Sequence, residues 1–452
     1  MKININILLP LGIALLLVSC DQFLSKKSDQ QLVTPDNLPA LQALLDHTGN
    51  ITANFCSAGE VSADDYYLKP EGYNYMVEDI QRMYRWEPNY VFSTETTNDW
   101  MLSYQTVYIC NAILKALEDI PEIPVNKSNR DFIKGQALVH RGFHFLDAAW
   151  VWCKSYDAQT AQTDMGLPLR LDPDFNLPSV RSTVQETYDQ LIGDLKASIP
   201  LLPINSINAY RASKPMAYAL LARAYLSMRQ YENAYTFADS CLQLRQGLVD
   251  FNTLDVAVPN SLPTLNVEVI FNGLFYNSAI YKDYGRIPQD LVNSYQSGDL
   301  RRAIYFSQDP TDGSFVFKGN FTGDYSQLCG PTVGEMLIIR SECAARLGNT
   351  ASAITDLNFL LKNRWDPVAF LPISGLQGDA LVQKILVERR KELLMRDLRW
   401  MDIRRLNADG AGISLSREVE GIVYHLEAGS PKFILPIPEA VIDQSGMPQN
   451  PR

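Results

Sequence analysis

The feature that most limits the folds open to this chain is a pair of helices carrying small residues where the two must touch. Residues 217–242 read AYALLARAYLSMRQYENAYTFADSCL, with Ala222 and Ala234 as the small residues and Tyr225 and Tyr231 as the aromatics beside the break. The same logic returns at residues 335–361, EMLIIRSECAARLGNTASAITDLNFLL, where Gly348 takes the turn and Ala353 the close-packing position. A weaker version spans residues 135–152. Helices of this kind bury a continuous stripe against their neighbours instead of forming separate cores. The expectation is therefore a mostly α fold built as one helical body, rather than the two or three domains that length alone would suggest.

The spacing in these segments resembles the tetratricopeptide helix pair. Between them run long stretches rich in Pro, Asn, Asp and Gly, at residues 59–98, 157–182, 247–290 and 309–334. Loops this long in a compact chain tend to be functional or disordered. These are too aromatic and apolar for simple disorder, so they are expected to be ordered loops packed over the helices, where binding residues commonly lie.

At the N-terminus, Lys2 precedes an uncharged apolar run over residues 7–18. A bilayer-spanning helix takes roughly twenty such residues, so this run is too short and marks a secretory signal. It ends in Leu17, Val18, Ser19 and Cys20, which resembles the lipobox of bacterial lipoproteins. The expected division is a signal peptide at residues 1–19 and a mature chain at residues 20–452. That chain would be a single domain, with an N-terminal helical-repeat part to residue 250 and a C-terminal part from residue 251. Acylation of Cys20 would give three hydrocarbon tails, at roughly 0.8 kcal/mol per buried methylene, and a permanent membrane anchor. Asp21 directly follows, and in some bacteria an acidic residue there retains a lipoprotein at the inner membrane, so this motif alone leaves the membrane face open.

Loss of the signal peptide removes Lys2 and takes the formal charge from −11 to −12. An acidic chain without a basic block opposes the counterion release that drives phosphate-backbone binding, which excludes nucleic acid as the partner. The other six cysteines, Cys56, Cys110, Cys153, Cys241, Cys329 and Cys343, are scattered without CxxC or metal-ligand spacing, and buried free thiols rather than disulfides are expected.

Several constellations invite a chemical reading. His140 and His144 lie four apart with Asp147 three further on, but Arg141 follows His140 where a zinc protease needs glutamate, so packing is the expectation and no metal site is assigned. Asp172, Asp174 and Asn176 imitate the start of a calcium loop, yet Leu177 and Thr183 replace the required glycine and glutamate. No cofactor is expected, with an irregular structural calcium site left as an option. Glu388, Arg389, Arg390, Glu392, Arg396, Arg399, Arg404 and Arg405 form a charge-rich helix whose acids and bases pair at helical spacing and tie it to its neighbours. No GxSxG, Gly-rich phosphate loop or Cys/His nucleophile pattern is present. A glycosidase carboxylate pair is neither marked nor excluded among 51 acidic residues, and the chain is read as a binding protein, not an enzyme.

Tyrosine dominates the aromatics, with 22 Tyr against 18 Phe and 6 Trp. Its apolar ring and polar tip suit a surface that binds something wet. The densest stretch is residues 64–90, carrying Tyr66, Tyr67, Tyr73, Tyr75, Tyr84, Trp86 and Tyr90. Asp64, Asp65, Asn74 and Asn89 stand ready as polar flanks for a sugar ring. Trp86, Tyr66 and Tyr67 lead this assignment. A second cluster, Tyr276, Tyr281 and Tyr284, lies in another long loop and would share the same surface. Pinning irregular loops onto the helices is the competing role for each ring.

Taken in order, the motifs resemble the SusD/RagB family along nearly the whole chain. After the lipobox come DQFL at residues 21–24, WMLSYQTVYICNAILKALE at 100–118 and GQALVHRGFHFLDAAWVW at 135–152, then GLPL at 166–169. TVQETYDQLIGDLKASIPLLP at 183–203 and RASKPMAYALLARAYL at 211–226 follow. The C-terminal half adds EMLIIRSECAARLGN at 335–349, ERRKELLMRDLRWMDIRRL at 388–406 and ILPIPEAVIDQSGMPQNP at 434–451. Gly142, Cys153, Ile338 and Ser341 depart from the usual residues. The resemblance implies a SusD-like fold with tetratricopeptide-like helix pairs and long ordered loops. It implies a lipid-anchored outer-membrane protein, expected to face the cell exterior, that delivers ligand to a SusC-like TonB-dependent transporter without catalysis. The ligand expected from the aromatic content is a glycan or oligosaccharide. A peptide, as in RagB-like uptake, and a structural adhesin-type role remain alternatives.

Overall fold

The structure is a computed structural model that describes residues 36–89, 91–92 and 98–452. Cys20, Asp21, Tyr90 and residues 1–19, where a signal peptide is expected, lie outside the described residues. The helices that build the body are α1 (Leu38–Leu45), α2 (Asp99–Asp119), α3 (Lys127–Trp152), α4 (Val184–Ser198), α5 (Lys214–Ser227), α6 (Tyr231–Leu244), α7 (Val333–Arg346), α8 (Thr350–Lys362), α9 (Gly378–Glu392) and α10 (Arg399–Ala408). From α2 to α8 each helix packs on the next, and α9 packs back on α7. Among the described residues the strands are short and pair only two at a time, so the helices carry the mostly α architecture.

The residues that begin these helices explain their registers. The Asn98 side chain accepts from Met101 N at the start of α2, and Thr332 does the same for Glu335 N at α7. Thr183 and Glu186 form a reciprocal capping box on α4. Ala222, Ala234 and Ala353 are fully buried at the helix contacts. Gly348 turns the α7–α8 connection with φ +82°, but the α5–α6 connection places Arg229 at φ 60°. A non-glycine residue costs roughly 1–2 kcal/mol there. Arg229 offsets it by donating to Tyr156 O at 2.7 Å and pairing with Asp409 at 2.9 Å.

The stretch expected as loop over residues 59–98 contains three short helices, Ala58–Ser62, Pro70–Tyr75 and Glu78–Tyr84. The charge-rich segment is likewise not one helix. It breaks at residues 393–398, where Met395 and Asp397 take positive φ. The break turns Arg396 onto the carbonyls of Leu328 and Gly330 and brings Asp397 N to Glu60 Oε2 at 2.9 Å.

That turn closes a buried group of carboxyls around the helix Ala58–Ser62. Asp99 accepts from Ser57 N and Ala58 N at 2.7 Å, Asp147 accepts from Cys56 N at 2.8 Å, and the Asp147 and Asp397 side chains hydrogen-bond each other. Burial pushes Asp147 up to about 6 and Glu60 up to about 8, and carries Asp397 well above the carboxylate range. His140 and His144 are buried against Phe271 and Phe55, and burial lowers both to about 3, so they pack as neutral rings. All six cysteines of the described chain are buried free thiols. Asp172 and Asp174 accept backbone N–H groups of their own loop, and among the described residues no cluster of three His, Cys, Asp or Glu is arranged to hold a metal.

The carboxyl group makes a pH prediction. Folded pKa values above the unfolded ones mean that the fold holds protons the unfolded chain has released. These carboxyls therefore contribute stability that is present in acid and is lost as pH rises through 6 and 8, while the lowered His140 and His144 act in the opposite sense below about 6.5. Urea midpoints should drop between pH 6.5 and pH 8, above the range in which the unfolded histidines become charged, corresponding to at least about 1 kcal/mol, and Glu60→Gln should remove much of that slope. A wild-type slope unchanged in Glu60→Gln would refute the assignment.

Candidate functional site

The aromatic side chains divide into an inner set that holds structure and an outer set that faces solvent. Arg417 organises the inner set from the strand Leu415–Val419. Its guanidinium donates to Tyr84 O at 2.7 Å, to Val61 O at 2.9 Å and to Ala63 O. It also lies 3.9 Å from the Tyr84 ring centroid, 4.9 Å from Trp86 and 5.2 Å from Tyr66. Trp86 Nε1 donates to Ser62 O at 3.0 Å and Tyr66 OH to Val61 O at 2.9 Å. Tyr84 OH accepts from Leu68 N, and Tyr73 packs against Tyr84 and Arg85.

Trp86, Tyr66, Tyr73 and Tyr84 are thus all buried, and their surfaces are spent on cation–π and backbone contacts. The expected lead residues Trp86 and Tyr66 are corrected on this ground, since a ligand would have to displace Arg417 to reach them. Asp64 and Asp65 are similarly engaged. Asp64 takes two hydrogen bonds from Arg399, at 2.7 and 3.0 Å, and Asp65 one from Arg390 at 3.0 Å. Burial alone would raise the Asp64 carboxyl, but Arg399 and Arg390 outweigh it and hold it down at about 2.

The outer set comes from both predicted clusters. Tyr75 ends the helix Pro70–Tyr75 and stacks on Tyr284 with centroids 4.6 Å apart and planes at 17°. Tyr281 meets Tyr325 at 5.1 Å and 45°. The Tyr75 hydroxyl bonded to Tyr284 pushes the Tyr284 phenol up to about 12, with Tyr325 also close enough to act on it, and Tyr281 faces Tyr276, Asp324 and Tyr325. Tyr75 is 68% exposed, Tyr325 53% and Tyr276 47%. Tyr67 is partly exposed beside them. Tyr325 was not singled out from sequence, because a lone tyrosine in a Gly- and Asn-rich loop has no spacing to mark it.

Backbone pairing fixes this face. Strand β1 (Tyr67–Leu68) pairs with β2 (Gly285–Arg286) in the register Tyr67 to Arg286 and Leu68 to Gly285, which joins the two clusters. A Cβ at Gly285 would approach Ala279 O to 2.8 Å, so the strand can lie this close only with glycine. Arg286 donates to Ser314 Oγ, Lys282 O and Asp309 Oδ2, each at 3.0 Å, and so braces residues 282–286 from behind. Tyr75, exposed and backed by the half-buried Tyr284 on a braced loop, presents an apolar ring face with hydroxyls at its edge, the pattern that a pyranose ring complements.

Residues 22–226 match the family described as starch-binding associating with outer membrane, and residues 333–452 match the SusD family. No curated protein matches the sequence. In overall structure the chain is similar to a SusD superfamily protein of Bacteroides thetaiotaomicron VPI-5482, with TM-score 0.75 and 19% identity, covering 92% of this chain and 100% of that one. It is similar to a SusD-like carbohydrate binding protein of Bacteroides vulgatus ATCC 8482, with TM-score 0.70 and 21% identity over 91% and 97%. A SusD superfamily protein of Bacteroides fragilis gives 0.71 and 20% over 91% and 98%. At these identities the likeness establishes the fold.

The split between inner and outer rings predicts that Trp86→Ala destabilises the fold by about 3–5 kcal/mol. Tyr75→Ala, at an exposed site, should shift it by less than about 0.5 kcal/mol. Chemical unfolding of the two variants checks this, and equal, small effects would place Trp86 at the surface instead.

Proposed function

Because this chain belongs to the SusD/RagB family, we propose that it is a surface lipoprotein that binds a nutrient glycan and passes it to a SusC-like TonB-dependent transporter. The observation that carries the glycan reading is the exposed Tyr75 ring backed by the half-buried Tyr284, with the exposed Tyr325 and Tyr276 beside Tyr281. Flat rings left in water lose hydration cost when a sugar face covers them, and the phenol edges supply hydrogen bonds to its hydroxyls. Tyr67 lies at the border of this face and completes it.

Anchoring follows from the lipobox cysteine, Cys20. Among the described residues no helix is long and apolar enough to cross a membrane, and the outer-membrane association named for the matching family supports that membrane as the site. The chain then acts by holding ligand at the surface long enough for a transporter to accept it. Binding alone meets that need, and rigid tyrosines hold ligand at low entropic cost.

The test is a binding screen of the protein beginning after Cys20 against polysaccharides, oligosaccharides and peptide mixtures, followed by calorimetry. A saturable glycan ligand is expected, with the Tyr75→Ala/Tyr284→Ala pair raising Kd at least about tenfold, or about 1.4 kcal/mol. Binding of peptides alone would replace the glycan reading with peptide uptake of the RagB kind.

A further inference from the structure

Between α9, α10 and the end of α7 lies a cavity of about 600 Å3 that shares no lining residue with the tyrosine face. Leu291, Val382, Leu386, Leu406 and Ile413 give it apolar walls, and Arg389 is among its charged lining residues. Apolar walls, a few polar groups and a volume within roughly 300–1,000 Å3 are the marks of a small-molecule site.

Arg389 sets the chemistry of this cavity. Its side chain is 1% exposed, and a guanidinium carries five N–H donors. Nε donates to Asp402 Oδ2 at 2.7 Å. Nη1 and Nη2 are buried and have no hydrogen-bond partner among the described residues. Buried donors left so are costly, most of all on a charged group.

The neighbouring carboxylates are already engaged. Asp402 also accepts from Arg405 Nε at 2.8 Å. Glu342 accepts from both Nη atoms of Arg405, at 2.6 and 2.8 Å, and from Arg346 Nε at 2.9 Å. Asp409 pairs with Arg229 at 2.9 Å and with Arg346 at 3.8 Å. In these pairings Arg229, Arg346, Arg389 and Arg405 share Glu342, Asp402 and Asp409, and the surplus positive charge falls on Arg389. The other cations lining the cavity are answered elsewhere, Arg390 and Arg399 by Asp64 and Asp65, and Lys391 by Asp299 and Glu388.

With Nε occupied, the free edge of Arg389 is the pair Nη1 and Nη2, whose parallel N–H groups match the two oxygens of one carboxylate. Asp290 and Asp379 are exposed and also line the cavity, so a multiply charged anion is repelled where a single carboxylate is tolerated. We propose that this cavity binds a monocarboxylate with an apolar face, its carboxylate on Nη1 and Nη2 of Arg389 and its body between the aliphatic walls. The carboxylate is that of a uronic-acid unit or of a free organic acid, two sources with the same recognition chemistry. The site stands apart from the glycan reading, because none of its residues belongs to the tyrosine face.

The experiment titrates the protein beginning after Cys20 with benzoate, acetate, glucuronate, methyl glucoside and inorganic phosphate. Calorimetry and melting temperature report binding, since a ligand that binds only the folded chain raises its stability. Benzoate should bind saturably with Kd at or below about 1 mM, and more tightly than acetate, which lacks the apolar body. Methyl glucoside and phosphate should not compete with it. Glucuronate that binds at least as tightly as benzoate identifies an acidic sugar as the source, and weaker glucuronate binding a free organic acid. Arg389→Lys keeps a cation beside Asp402 but loses the fork, and Val387→Trp fills the cavity from a half-exposed position. Each should weaken benzoate at least about tenfold, with circular dichroism verifying the fold. In crystals soaked with 4-bromobenzoate, the bromine signal should place the carboxylate on Arg389. Affinity unchanged in both variants, phosphate bound as tightly as benzoate, a bromine site elsewhere, or no carboxylate bound by folded wild type would overturn the site, and each leaves the glycan reading standing.

Discussion

Everything else in this fold depends on a buried ionic network centred on Arg301 and Arg364. Arg301 has no exposed surface and is held by Asp299 at 2.8 Å, Glu388 at 2.5 Å and Glu392 at 3.2 Å. Arg364 bridges Glu392 and Glu268, each at 2.8 Å, and donates to Val249 O. Lys391 completes the set on Asp299 and Glu388. Burying such charges costs several kcal/mol per ion unless every one is answered, and here each cation meets carboxylates directly. Burial would raise Glu388, but Arg301 and Lys391 hold it at about 2, so the carboxylate stays ionised at any ordinary pH.

What the network accomplishes is positional. It fastens α9 to the end of α8, to the segment carrying Asp299 and Arg301, and to the loop carrying Glu268. Arginines that answer no carboxylate do the same for other loops through backbone carbonyls: Arg396 on residues 328 and 330, Arg404 on Trp150 O and Cys153 O, and Arg417 on residues 61, 63 and 84. Long irregular segments thereby gain partners for buried polar backbone without regular sheet. Tyrosines that these clamps do not cover are left facing water on a stiff support.

The helical body was legible in the sequence because close helix contacts demand small residues at fixed spacing, and Ala222, Ala234 and Ala353 serve that demand in the structure while Gly348 makes the turn between α7 and α8. The break at Met395 and Asp397 was not legible, since helix-compatible residues there are turned by the distant partners Glu60, Leu328 and Gly330. The same limit governed the site. Along residues 64–90 the backbone has no single period, so nothing local tells Tyr75, which faces out, from Tyr84, which faces in. The side chain that decides the matter, Arg417, lies 333 residues along the chain from Tyr84. Tyr75 and Tyr284 were both named, but their stacking depends on the pairing of β1 with β2, which a two-residue strand does not announce.

The most direct test of this account is a double-mutant cycle on Arg364 and Glu268, read by urea unfolding of Arg364→Met, Glu268→Gln and the double variant. Each single change should cost about 3–5 kcal/mol by stranding a buried partner. The double should cost clearly less than their sum, with a coupling of about 1 kcal/mol or more. Additive losses would contradict the claim that a mutually dependent ionic network holds the loops in place.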